Sequence, residues 1–163
     1  MMTKRMPSRF HQSQRGQRGA AAVEFAIVFV VFFSLFYAIV SYALAFMLMQ
    51  GFSYAANEGA RAAIAVDRFA YDSDSEYLEL GVKPRVQAIV SDALQWLPAK
   101  ARAEAVGADG EKVTVAFEGS GVRVAISYPD YLGNPLIPVL SLPGIGPVPK
   151  LPNDLTGVSV VGL

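Results

Sequence analysis

The stretch GQRGAAAVEFAIVFVVFFSLFYAIVSYALAF, Gly16 to Phe46, contains most of the apolar run that decides the architecture of this chain. From Phe25 to Met49 the sequence has 25 residues without a charge. As a helix rising about 1.5 Å per residue, this run would be roughly 37 Å long, enough to cross a bilayer core of about 30 Å. A helix on the surface of a soluble protein has a polar face, and this run has none. The pattern therefore predicts a transmembrane helix.

The charges predict how this helix is oriented. Residues 1–66 carry six bases and two acids, whereas residues 67–163 carry eight bases and twelve acids. Five of the first six bases precede the apolar run, and such basic flanks stay in the cytoplasm. We therefore expect a single-pass protein with a cytoplasmic amino terminus and an exported carboxyl-terminal part. The alternative of a nucleic-acid-binding arm is disfavoured by the position of the bases next to the membrane helix, so no nucleic-acid partner is expected.

The apolar run is expected to be retained rather than removed. Ala43-Leu44-Ala45 satisfies the small-x-small rule of a secretory cleavage site, which leaves a cleaved, secreted protein as one alternative. However, the apolar residues before it, from Phe25 to Tyr42, exceed the roughly 7–15 residues of a signal-peptide core. Retention is the favoured interpretation.

The residues before the apolar run form a second pattern. Counted from Ala20 as position one, Glu24 is fifth and Phe25 is sixth, and Gly19 precedes them. This arrangement resembles a type IV prepilin processing site in the variant used by tight-adherence (Tad, or Flp) pili, although the Flp pattern has tyrosine where this chain has Phe25. The segment GFSYAANEGARAAIA, Gly51 to Ala65, resembles the AAREGARAA-type segment of TadE-like proteins. The chain is thus similar to TadE-like minor pseudopilins.

This resemblance implies a function and a set of partners. A prepilin peptidase would cut between Gly19 and Ala20, and Glu24 would pair with the new amino-terminal ammonium of a neighbouring subunit. The implied partners are that peptidase, other pilins and pseudopilins, the inner-membrane pilus assembly platform and the lipid bilayer. The implied location is the bacterial inner membrane, with the carboxyl-terminal domain in the periplasm. The alternative is an uncleaved signal-anchored protein with a small periplasmic binding domain, in which Glu24 only complements the helix dipole.

The helix is expected to continue past the membrane as a stalk, so that one element covers residues 20–66. A stripe of small residues recurs every fourth position and would allow close helix–helix packing: Gly51, Ala55, Gly59 and Ala63. The partner could be a neighbouring subunit or the chain's own domain, and both alternatives remain open. Glu58 and Arg61, three residues apart, are expected to pair on the helix surface.

Residues 67–163 are expected to form a small α+β head. Asp72, Asp74 and Glu76 alternate as in a calcium loop, but Tyr77 stands where an EF-hand requires glycine, so a solvated connector is favoured over a metal site. One amphipathic helix is predicted from Pro84 to Leu97, and its apolar face is predicted to hold Val86, Ile89, Val90, Ala93, Leu94 and Leu97. Alternation predicts two strands, around 113–117 and 122–128, joined by a tight turn at 118–121, and the terminal TGVSVVGL predicts a third.

The segment from 129 to 152 holds seven of the ten prolines, and it is predicted to be an extended loop packed on the head or, alternatively, a partner-binding surface. The chain has no cysteine, and its one histidine, His11, lies in the basic leader, residues 1–19. The exported part therefore lacks the commonest general base and the usual zinc ligands. No enzymatic activity, metal or cofactor is expected. The predicted fold class is α+β: a long amino-terminal transmembrane helix, then a small head with one amphipathic helix and an antiparallel sheet of about three strands.

Overall fold

A computed structural model describes residues 15–142 and 146–162, without the side chains of residues 15–18 and 142. Most of the basic leader and the tip of the Pro-rich segment, residues 143–145, therefore lie outside the described residues. By its internal contacts the chain divides into two units, one ending at Tyr37 and the other covering Ala38–Leu163. We call the second unit the head unit.

Helix α1, Arg15–Ile64, is the longest element. Its 50 residues contain no proline and are rich in alanine and other apolar side chains, so nothing in the sequence interrupts the helix. Within the part of the chain that the structure describes, one helix, Gly19–Ile64, is long and apolar enough to cross a membrane by its length and composition. The predicted single long helix is confirmed.

A short connector follows α1 and leads into the next helices. The side chain of Asp67 caps a 3-10 turn, Arg68–Ala70, by accepting a hydrogen bond from Phe69 N. Ser73 caps α2, Asp74–Glu76, in the same way, because its hydroxyl accepts from Glu76 N at 3.2 Å. The short polar side chains of Asp67 and Ser73 thus satisfy backbone donors at the starts of these two elements.

The amphipathic helix of the head is longer at its start and shorter at its end than predicted. A π-helical segment, Tyr77–Val82, runs directly into α3, Lys83–Ala93, so Pro84 lies near the start of α3 rather than of the whole helical region. Val86 and Val90 are buried as the periodicity predicted, but Ile89 is 39% exposed. A further helix, α4, Ala99–Ala105, was not predicted; it buries only the small side chains of Ala101 and Ala105.

The head contains the predicted three-stranded antiparallel sheet, formed by β1, Thr114–Glu118, β2, Gly121–Tyr128, and β5, Leu155–Gly162. The strand order is β1-β2-β5, with Val115 opposite Val124 and Tyr128 opposite Leu155. Val122, Val124, Ile126 and Tyr128 are buried on one face. The predicted α+β class is confirmed, and the head has several short helices instead of one.

The Pro-rich segment forms a separate two-stranded sheet, β3, Leu140–Leu142, and β4, Gly146–Val148, instead of an entirely extended loop. Val148 is buried, and Leu136 and Leu151 pack against the main core. The predicted packing of this segment on the head is therefore observed. Proline's missing N–H explains why the pairing is short and separate from the main sheet.

Candidate functional site

The candidate processing site lies in the first turns of α1. Gly19 and Ala20 are both exposed, and a Cβ built on Gly19 has no neighbouring atom within 4 Å. An alanine at this position would therefore fit the folded helix, and it would be favoured there by roughly 1 kcal/mol over glycine. Packing does not require glycine here, so any requirement for it has to come from a partner that approaches the backbone.

Glu24 lies on the bare part of α1, the stretch from Gly19 to Val40 in which no side chain is buried. Its side chain is exposed, as are those of Val23 and Phe25 on either side. Among the side chains that the structure describes, none forms an ion pair with Glu24. A carboxylate in an apolar stretch needs a compensating charge when it leaves water.

Phe25 belongs to an aromatic row along α1 that was not predicted and that consists of Phe25, Phe29, Phe33 and Tyr37. Its ring centroid lies 6.1 Å from that of Phe29, which in turn is 6.0 Å from Phe33, and Phe33 is 6.2 Å from Tyr37. The spacing of four residues places these rings above one another on one helix face, and it is visible in the sequence. Phe25, Phe29 and Phe33 are each about half exposed or more, so the row is a surface available to lipid or to another helix.

The small-residue stripe lies against the chain's own head. A Cβ on Gly59 would be 3.0 Å from Val86 Cγ1 and 3.0 Å from Val90 Cγ2, and one on Gly51 would be 2.6 Å from the ring of Trp96. Ala55 and Ala63 are completely buried. Of the two alternative packing partners, the stripe therefore contacts the chain's own domain. Packing of these residues on a neighbouring subunit stays a prediction, and it would require the head to move away.

The opposite face of the stalk is polar and open. Glu58 Oε1 lies 3.7 Å from Arg61 Nη1, and the Arg61 side chain is 76% exposed. Tyr54 is 60% exposed beside them. At this exposure the ion pair contributes only a few tenths of a kcal/mol, so these charges are free to meet a partner.

The acidic side chains of the connector after α1 form ion pairs and hydrogen bonds within the connector itself. Arg68 forms an ion pair with Asp74, and Glu76 accepts a hydrogen bond from Asp72 N at 3.3 Å. Over the residues described, no group of three or more His, Cys, Asp or Glu side chains could hold a metal ion.

Three ionisable side chains have shifted pKa values, and each of them forms hydrogen bonds within the head. Burial raises the pKa of Tyr77 and of Tyr128, whose hydroxyls donate to the carbonyl oxygens of Ala63 at 3.5 Å and of Asn134 at 2.7 Å. Hydrogen bonds from Asp109 N and Ala108 N lower the pKa of Glu111, which lies in the open cleft beside α4. Both carboxylate oxygens of Glu111 accept hydrogen bonds from the backbone of this loop, so they serve its structure.

A bare apolar helix at the amino terminus, followed along the chain by a small α+β head, defines a class: proteins with one amino-terminal helix suited to anchoring them in a membrane. Within this class, the family model described as TadE-like protein matches residues 19–61. The match covers just over a quarter of the 163 residues, and it confirms the TadE-like resemblance seen in the sequence. A TadE-like match implies a membrane protein associated with Tad pili. Comparisons with curated proteins and with solved structures gave no match.

Proposed function

We propose that this protein is a minor pseudopilin, an inner-membrane structural component needed to assemble or initiate Tad (Flp) type IVb pili, and that a prepilin peptidase processes it after Gly19. The observation that carries the proposal is the TadE-like match, which begins at Gly19 and continues through Glu24 and the bare apolar helix. Its role is structural, with no catalytic step and no cofactor of its own.

The length of bare helix supports a paired role for Glu24. From Gly19 onwards, the first buried residue on α1 is Ser41, so lipid would have unobstructed access to this part of the helix only up to Val40. About 20 helical residues cross the hydrocarbon core, and counting back from Val40 reaches Ala21. Glu24 would then lie about 4 Å inside the apolar layer, where a single carboxylate is costly and a partner of opposite charge is favoured.

Processing would supply that opposite charge. Cleavage of the Gly19–Ala20 peptide bond by water leaves a carboxylate on Gly19 and an ammonium on Ala20. In the proposed assembly, the ammonium of one subunit pairs with Glu24 of its neighbour, and the exposed rings of Phe25, Phe29 and Phe33 pack between the helices. The partners are the peptidase, other pilins and pseudopilins, and the assembly platform in the inner membrane.

The first experiment is the intact mass of the membrane-extracted full chain, expressed with and without a Tad-type prepilin peptidase. The wild type should give a product beginning at Ala20 only with the peptidase. Gly19→Ala should stay uncleaved although its helix is intact, because the added methyl group meets no neighbour. Gly16→Ala is the matched control, since it changes a glycine outside the register and should be cleaved normally. A wild-type chain that keeps Met1 with active peptidase would favour the signal-anchored alternative.

A second experiment separates pairing from processing. Glu24→Gln keeps the size of the side chain and removes its charge, so we expect a large loss of pili while the intact mass still shows cleavage after Gly19. Glu79→Gln is the control, because it removes an acid that is 57% exposed and lies outside α1. Normal piliation by Glu24→Gln, with wild-type protein levels, would contradict the pairing role.

A further inference from the structure

The level at which the head begins to cover α1 is sharply defined. Side chains from Gly19 to Val40 are exposed or only partly covered, and burial then starts at Ser41 and continues at Ala45 and Leu48. On the opposite side of the helix, Phe46 and Met47 remain 59% and 52% exposed, and Leu44 at the edge of the covered side is 38% exposed. The helix is therefore still apolar on its open side at the level where the head is packed on the other side.

The Pro-rich segment is attached to α1 at this same level. Lys150 N donates a hydrogen bond to the hydroxyl oxygen of Tyr42 at 2.9 Å, and Val148 is buried two residues earlier. Ser141 in β3, Pro147 in β4 and Lys150 after β4 are all exposed. We call residues 135–142 and 146–152 the foot of the head.

The main sheet's β1–β2 turn lies at the other end of the stalk. Tyr77 donates to Ala63 O at 3.5 Å, and its ring is 6.3 Å from that of Phe117, next to the turn. Ala63 is 21 residues beyond Tyr42 on α1, about 31 Å further along the helix axis. The foot and the β1–β2 turn are thus at opposite ends of the head unit.

We propose that the foot lies in the headgroup region of the bilayer leaflet from which α1 emerges, as a second membrane contact beside the helix. The inference rests on the membrane insertion of α1. The 22 residues from Gly19 to Val40 are about 33 Å long, which fills the hydrocarbon core and brings Tyr42 and the foot to the interface. A head held higher would leave the open apolar side of residues 44–47 in water.

The composition of the foot suits this environment. Five of its 15 described residues are prolines, which have no backbone N–H to desolvate, and three of them, Pro138, Pro147 and Pro152, are exposed. Lys150 is its one charged residue, and an exposed ammonium there would meet lipid phosphates. Tyr42 is an amphipathic ring of the kind enriched at membrane interfaces. The partner is therefore the phospholipid interface itself.

The test uses the full chain in vesicles of phosphatidylethanolamine and phosphatidylglycerol, some containing a lipid with a nitroxide on its headgroup. Because the chain has no cysteine, single cysteines can carry a fluorescent label at chosen positions. Ser141→Cys probes the foot, Ser120→Cys in the exposed β1–β2 turn is the matched control, and Ala26→Cys with an acyl-chain nitroxide reports insertion of α1. We expect the label at 141 to lose most of its fluorescence and the label at 120 to keep it.

The outcomes separate the foot from the anchor. Quenching at 26 with none at 141 would overturn the foot and leave α1 as a membrane anchor. Equal quenching at 141 and 120 would also overturn it, because the head would then lie on its side. Absence of quenching at 26 would reject membrane insertion, and the foot with it. Processing after Gly19 is measured separately by mass, so its failure does not imitate any of these results.

Discussion

Gly157 of β5 crosses α1 at Phe52 so closely that a Cβ on this glycine would collide with the carbonyl carbon of Phe52 and with Ser53 N. The obstructing atoms belong to the backbone of a long helix, so they cannot turn aside as a flexible side chain would. This crossing sets the distance between the sheet and the helix, and the neighbouring core residues Ile126 and Leu155 are completely buried.

Gly157→Ala is therefore expected to destabilise the head by about 2–3 kcal/mol, since the strand has to move away from α1. Thermal unfolding of the full chain in detergent, followed by the fluorescence of Trp96, measures the effect. Gly162→Ala, in the same strand but with no atom within 4 Å of the added Cβ, is the control and should leave the midpoint unchanged. Equal midpoints for the two variants would contradict the close crossing.

Gly59→Leu should destabilise the head by about 1–3 kcal/mol, because the new side chain would overpack the site between Val86 and Val90. Asn57→Leu introduces the same side chain on the exposed face of α1 and should have little effect on stability. Chemical denaturation of both variants in micelles checks this. If Gly59→Leu abolishes pili while the head stays as stable as wild type, the stripe would pack on another subunit after all.

Tyr128→Phe should cost about 1 kcal/mol, because it removes the 2.7 Å hydrogen bond to Asn134 O from a buried side chain. Tyr54→Phe removes the same hydroxyl from a side chain that is 60% exposed and should be neutral. The two unfolding free energies, measured in one denaturant series, give the comparison. A neutral Tyr128→Phe would mean that water replaces the bond.

The loop of residues 107–111 should loosen in acid. Its two backbone hydrogen bonds lower the folded-state pKa of Glu111 below the ordinary 4.5, so the ionised form stabilises the loop. That stabilisation is complete above pH 4.5 and is lost as the pH falls through the lowered folded-state pKa. Amide exchange at Ala108 and Asp109 should speed up over this range, and Glu111→Gln should remove the pH dependence. If the amide exchange of Glu111→Gln depends on pH as strongly as that of the wild type, the effect comes from another group.

The elements that the sequence predicted are those whose signals are local. The uncharged run from Phe25 to Met49, the alternation in β1 and β2, and the face containing Val86 and Val90 each depend on neighbours within a few residues. Helix α4 was missed because seven residues with alanines as their buried side chains carry no strong periodicity. The π-helical segment before α3 was missed because its wider turn has no simple sequence signal.

The sequence by itself determined that α1 is apolar enough to span a bilayer and that a hairpin follows, and it placed Gly19 and Glu24 at the spacing from which processing is proposed. Hydrophobicity and spacing are properties of the covalent chain, so no fold is needed to read them. Only the tertiary structure decided that the small-residue stripe packs on the chain's own head and that burial of α1 begins at Ser41. Those outcomes depend on contacts between residues far apart, such as Tyr42 with Lys150, and their free energy exists only when the chain has folded.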